Sequence, residues 1–186
     1  MKAASSATTT PLDEFDYFVF HAPNCKLVAK SYARLLYNDF IADPGKPLFG
    51  SDAVPSAIQK QTYEGSLDDK DLEKFFMQIS RERFSHRVQP SLTGPTMCGN
   101  MYTAGVYSGL ASLLSNTSSD KLRGRRLGVF SFGSGLASTL FSLRVVGDVG
   151  MIATKLYLHD RLARRESVSA AYYNEVREHI TSWTKT

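Results

Sequence analysis

Two periodicities alternate along this chain, and each change of period marks an element. Phe15, Tyr17, Phe18, Val19 and Phe20 make a nearly unbroken aromatic and β-branched run, the pattern of a strand buried on both faces. Pro23 cannot extend a ladder, so the strand ends at His21. A helical repeat follows from Asn24, a good N-cap, to Ala42, carried by Leu27, Val28, Ser31, Leu35 and Phe40. Asp43-Pro44-Gly45-Lys46-Pro47 stops it. A loop to Leu67 is punctuated by Gly50, Pro55 and Gly65. A second helix is predicted over Asp68–Arg87, with Leu72, Phe75, Phe76, Ile79 and Phe84 on its apolar side. Pro90–Asn100 holds two prolines and two glycines and reads as a loop. Met101–Ser115 reads as a helix whose Gly105, Ser108, Gly109 and Ser112 permit close packing. Two apolar runs, Arg126–Phe132 and Ala137–Val146, flank Gly133-Ser134-Gly135 and predict a hairpin. Residues 152–182 are amphipathic and helical, with a break near Ser167. The order of elements predicts a mixed α/β fold.

The length of 186 residues suits one domain, and 42% hydrophobic residues are enough for a packed core. The net charge of +4 is too small to indicate a nucleic-acid surface and fits a phosphate-bearing small molecule equally well. The cluster of Lys121, Arg123, Arg125 and Arg126 has no aromatic platform beside it and reads as surface. Cys25 and Cys98 lack metal-type spacing, no metal site is expected, and a reducing, cytoplasmic compartment is expected. No apolar run is long enough to cross a bilayer. Residues 1–13 are expected to be a flexible leader, the folded domain beginning at Glu14.

Candidate chemistry gathers where elements meet. His21 stands at a strand end, where α/β folds place ligands, and reads either as a core histidine or as an imidazole that polarises a carbonyl. Lys26 and Lys30 share a helix face and are either solvated or a phosphate clamp reinforced by the helix N-terminus. Asn100 either caps the following helix or donates its amide to a substrate carbonyl. Ser134 lacks nucleophile-elbow spacing; its backbone N–H between glycines suits an oxyanion better than its hydroxyl suits attack. Cys25 and Cys98 sit at helix entrances, where thiolates are favoured, yet small buried cysteines are the commoner case.

Five stretches together resemble hydroxymethylglutaryl-CoA synthase. They are Phe20-His21-Ala22-Pro23-Asn24-Cys25-Lys26-Leu27-Val28, Ala33-Arg34-Leu35-Leu36-Tyr37-Asn38-Asp39-Phe40, Arg87-Val88-Gln89-Pro90-Ser91, Pro95-Thr96-Met97-Cys98-Gly99-Asn100-Met101-Tyr102-Thr103 and Ser131-Phe132-Gly133-Ser134-Gly135-Leu136-Ala137. The resemblance spans roughly Glu14 to Ile180 and implies the C-terminal half of a thiolase-like fold, a mixed sheet packed with helices. It implies condensation of acetyl-CoA with acetoacetyl-CoA in the mevalonate pathway, with CoA thioesters as substrates and no tightly bound cofactor. His21 matches the family histidine that polarises the acetoacetyl ketone, Asn100 its partner, and Ser134 the position whose N–H holds an oxyanion. Lys26 and Lys30 match CoA-binding lysines, and Tyr102, in the stretch that holds Asn100, is placed with them as a CoA-binding residue. Neither Cys25 nor Cys98 matches the nucleophile, and no segment resembles the motif of the glutamate base. The resemblance therefore implies a segment that supplies the acetoacetyl-CoA side only and leaves an apolar face for a partner with the missing N-terminal half, or for a homo-oligomer. The alternative is a non-enzymatic CoA-binding or decoy module that pairs with a full-length synthase. Neither nucleic acid nor membrane is expected as a partner.

Overall fold

The computed structural model describes residues 10–49, 54–133 and 137–183, the last three of these by backbone alone. Strand β1 (Tyr17–Phe20) is the pivot. It pairs in parallel with β2 (Arg126–Gly133), and β2 pairs antiparallel with β3 (Ala137–Arg144), giving the sheet order β1-β2-β3. The aromatic run is buried from both sides, as its composition predicts. Phe18 and Phe20 enter one apolar cluster with Tyr32, Leu36 and Phe76, whereas Val19 enters the opposite one with Leu113, Leu127 and Val129. Phe18 lies over Gly128 across the ladder, where a Cβ would come within 2.5 Å of the ring.

Helix α1 (Cys25–Ala42) starts where Asn24 accepts a hydrogen bond from the Leu27 N–H at 2.8 Å. Val28, Tyr32, Leu36 and Phe40 recur every four residues along its buried stripe, with Ala33 and Tyr37 beside them. Full burial of each such large side chain is worth about 1.5–3 kcal/mol. A short α2 (Ser56–Gln59) leads to α3 (Lys70–Ile79), capped by Asp69, which accepts from the Asp71 and Leu72 N–H groups.

The helix expected over Asp68–Arg87 is two helices, α3 and α4 (Arg81–Arg87). They join at Ser80, which is buried and returns its hydroxyl to the Met77 carbonyl at 3.3 Å. That back-bond competes with the helical ladder and bends the chain. The segment expected as a loop, Pro90–Asn100, is also more ordered than its composition suggests. A 3-10 turn (Gln89–Ser91) precedes α5 (Thr93–Cys98), and both prolines fall early in their turns, where no N–H is required. Gly99 ends α5 with φ +73°.

After a 3-10 turn (Tyr102–Ala104), α6 (Gly105–Asn116) crosses β1. Its small residues do what their spacing predicts: Gly105, Gly109 and Ser112 are buried, and the Ser112 hydroxyl accepts from the Gly94 N–H at 2.8 Å. Helix α7 (Ser119–Leu122) returns the chain to β2.

α1 and α3 therefore cover one face of the sheet and α6 the other. The coverage stops at β3, which is exposed along its whole length, with Leu140, Phe141 and Leu143 39–50% accessible. The last helices, α8 (Gly150–Leu156), α9 (Leu158–Ala163) and α10 (Ala170–Trp183), leave the predicted break around Ser167. Tyr172, Tyr173, Val176 and Ile180 form an uncovered stripe on α10.

The expected leader reaches residue 13, yet Thr10–Asp13 are folded onto the domain. Leu12 is buried, its N–H donates to Asp39 Oδ2 at 2.9 Å, and Asp13 is paired with Arg83 and Arg87. Burial raises the Asp13 carboxyl, but the Thr10 N–H and the two guanidinium groups outweigh it and hold it below the ordinary aspartate range. Low apolar content hid this anchor: it is made by one leucine and one carboxylate.

Candidate functional site

His21 is held by backbone and packing. Its N–H donates to the Phe130 carbonyl at 2.8 Å, which continues the β1–β2 ladder one step beyond the strand. Its ring lies edge-on to Phe132, 5.2 Å between centroids at 74°. The Nδ1–Cε1 edge faces Gly105 at the start of α6. The ring is half-buried, and no described side chain hydrogen-bonds to it. The imidazole is thus neither a core histidine satisfied by neighbours nor a free surface group. Among the described residues its ring nitrogens have no hydrogen-bond partner.

Asn100 is exposed, and its side-chain oxygen accepts from the Tyr102 N–H at 2.9 Å, a local turn just ahead of the 3-10 turn, whose cap position is Met101. That bond uses the Asn100 carbonyl and leaves its NH2 donors available. The expected helix cap is not found, since the residue preceding α6 is Ala104. Tyr102 adopts φ +49° and is 76% exposed, which turns its ring outward. His21 thus lies against Gly105, the residue that follows the 3-10 turn Tyr102–Ala104. Ser134 lies outside the described residues.

The two lysines separate. Lys26 is exposed at the first turn of α1. Lys30 reaches Glu73 of α3 at 2.9 Å, with both side chains about 30% accessible. The Lys30 hydrogen bond is the main cause that holds the Glu73 carboxyl below the ordinary glutamate range, with smaller help from Lys70 and Lys26. Lys30 thus already has a carboxylate partner that any phosphate would have to displace. The pair borders an apolar cavity of about 460 Å³ between α1, α3 and the sheet, lined by Phe20, Leu27, Tyr37, Phe76, Phe130 and Leu140 among others. Arg34, on the same wall, donates to the hydroxyl and carbonyl of Ser66, both at 2.8 Å.

Cys25 Sγ is 3.4 Å from Thr96 Oγ1, which joins the start of α1 to α5. Cys98 is exposed, and Arg165 bridges its Sγ at 3.6 Å and the Met97 carbonyl at 2.6 Å. In the basic cluster, Arg125 pairs with Asp16 at 2.8 Å and Arg126 with Glu14 at 3.0 Å, so these charges pin the N-terminal segment to β2. Sequence reasoning missed Phe132, Gly105 as a neighbour of His21, and Glu73. Each meets its partner across more than 40 residues of chain, and no local spacing signals such a contact.

Comparison with known proteins gives one family. A family model described as hydroxymethylglutaryl-coenzyme A synthase C terminal matches residues 1–184. Hydroxymethylglutaryl-CoA synthase erg13A of Aspergillus fumigatus is 56% identical over 165 residues, covering 89% of this chain and 34% of that protein. The Saccharomyces cerevisiae hydroxymethylglutaryl-CoA synthase is 49% identical, covering 87% of this chain and 32% of that protein. Among solved structures, MvaS in complex with 3-hydroxy-3-methylglutaryl coenzyme A superposes with a TM-score of 0.71 at 27% identity, covering 94% of this chain and 36% of that one. The chain thus spans about a third of the length of the relatives it matches.

Proposed function

Since this chain belongs to the hydroxymethylglutaryl-CoA synthase family, we propose that it supplies the acetoacetyl-CoA side of a condensation site that makes hydroxymethylglutaryl-CoA. The observation that carries this reading is the half-buried imidazole of His21 at the sheet end, packed on Phe132 and Gly105 and without a hydrogen-bond partner among the described residues.

In this role His21 and the Asn100 amide donate to the ketone oxygen of acetoacetyl-CoA and draw electron density from its carbon. A carbanion from an acetyl thioester attacks that carbon and a C–C bond forms. The carbonyl π pair moves to oxygen, which takes a proton from the imidazole. The nucleophilic cysteine and the glutamate base belong to polypeptide outside these residues, since neither Cys25 nor Cys98 stands where the family resemblance places the nucleophile. Lys26, at the N-terminus of an 18-residue helix, faces the CoA phosphates. Tyr102, turned outward from the same turn, lies along the thioester arm. The exposed apolar residues of β3 and α10 are where the remaining polypeptide packs.

Isothermal titration with acetoacetyl-CoA and with CoA tests the reading. The chain is expected to bind acetoacetyl-CoA more tightly than CoA, and His21→Ala is expected to abolish that difference, on the order of 0.5–1.5 kcal/mol for a hydrogen bond to the ketone. Equal preference in wild type and His21→Ala overturns it.

A further inference from the structure

His21 and Gly105 come together with no need for glycine in the backbone. Gly105 has φ −57° and ψ −44°, an ordinary right-handed helical conformation that every L residue adopts. Alanine is the better helix former there. The glycine supplies room instead: a Cβ would lie 2.7 Å from His21 Nδ1 and 3.2 Å from Cε1. Gly109, one turn later, differs in kind. Its Cβ would meet Val19 Cγ1 at 2.9 Å and the backbone oxygen of Ser91 at 3.4 Å. Those neighbours are buried in the core, whereas the half-buried imidazole ring can shift.

Phe132 closes the other side. It lies on β2 two residues beyond Phe130, whose carbonyl accepts the His21 N–H at 2.8 Å. The strand pairing that fixes the His21 backbone therefore also fixes the ring that flanks its side chain.

We propose that Gly105 is a positioning residue for His21: by omitting a Cβ it seats the Nδ1–Cε1 edge on the first turn of α6, with Phe132 holding the flank, and so presents the Nε2–Cδ2 edge to the acyl carbonyl. The orientation of the ring rests on packing alone; its use on a carbonyl rests on the acetoacetyl-CoA reading given above. A methyl at position 105 displaces the imidazole by several tenths of an ångström and leaves the helix intact. Misaligning one hydrogen bond to the ligand costs about two- to tenfold in affinity.

The test compares wild type, Gly105→Ala and Phe132→Leu, as labelled protein in solution. Nuclear Overhauser contacts between the His21 and Phe132 ring protons, and the ring-current shift of the His21 protons, report the seat without ligand. Titration with acetoacetyl-CoA reports its use. In Gly105→Ala the ring contacts are expected to weaken and the Kd to rise about two- to tenfold, with the melting temperature unchanged or higher. In Phe132→Leu the His21 ring-current shift is expected to vanish and the Kd to rise, which reads the same seat from the other side should Gly105→Ala not fold. Wild-type ring contacts and wild-type Kd in Gly105→Ala overturn the proposal. Absence of acetoacetyl-CoA binding in wild type, with the ring contacts responding as described, overturns the acetoacetyl-CoA reading and upholds the seat.

Discussion

The ion pair between Lys30 and Glu73 allows an opposed pair of substitutions. At 2.9 Å the gross attraction is about 6 kcal/mol at an effective dielectric of 20. Both heads are about 30% accessible, so solvation and side-chain entropy leave a net ~0.2–1 kcal/mol of stability. Lys30→Met keeps the stem that lines the cavity and removes the ammonium. Its effect on unfolding is therefore expected to stay below about 1 kcal/mol. If Lys30 leaves Glu73 to bind a CoA phosphate, Lys30→Met loses a charge-assisted contact of about 1.5–3 kcal/mol, a Kd rise of roughly ten- to a hundredfold. Glu73→Gln removes the competitor and is expected to tighten CoA binding by a few fold, because the phosphate no longer has to break a pair worth up to about 1 kcal/mol. Calorimetric titration with CoA at low and high salt reads both variants, with urea unfolding as the stability control. Binding unchanged by both substitutions, or weakened by both alike, refutes a phosphate role for Lys30 and leaves the pair as a brace between α1 and α3.

Two further predictions concern the framework. Asp13→Asn is expected to cost about 1–3 kcal/mol near neutral pH, since it leaves Arg83 and Arg87, each under a quarter accessible, without their carboxylate. The Asp13 carboxyl is lowered on folding, so its contribution is complete above the ordinary aspartate pKa of 3.8 and fades as pH falls through the depressed value. Urea midpoints of wild type and variant should converge in acid; divergence there contradicts the sign. Gly109→Ala is expected to destabilise by about 1–3 kcal/mol through overpacking against Val19, despite the better helix propensity of alanine. Thermal unfolding checks it, and a stabilised variant would show that α6 can slide off β1.

The strand at Tyr17–Phe20, the Asn24 cap, the antiparallel pairing of β2 with β3 and the small-residue face of α6 were legible because each is local. Each follows from a proline, a cap or a period of two or near four, and the structure reproduces them. Ser80 was not legible as a break, because its hydroxyl chooses the Met77 carbonyl only once the residue is buried. The order within Pro90–Asn100 was hidden for a similar reason: proline early in a turn and proline in a loop look alike in sequence.

In the candidate site the sequence identified His21, Asn100, Lys26, Lys30 and Tyr102 as chemistry-bearing groups, and motif resemblance named the family. It did not say that Lys30 spends its charge on Glu73, that the Asn100 oxygen accepts from the Tyr102 N–H, or that Gly105 and Phe132 flank the imidazole. Local chemistry is written in residue type and spacing. Which groups remain free to act is decided only when distant segments meet, because an ion pair, a ring contact and a missing methyl have meaning only against the neighbour that folding brings to them.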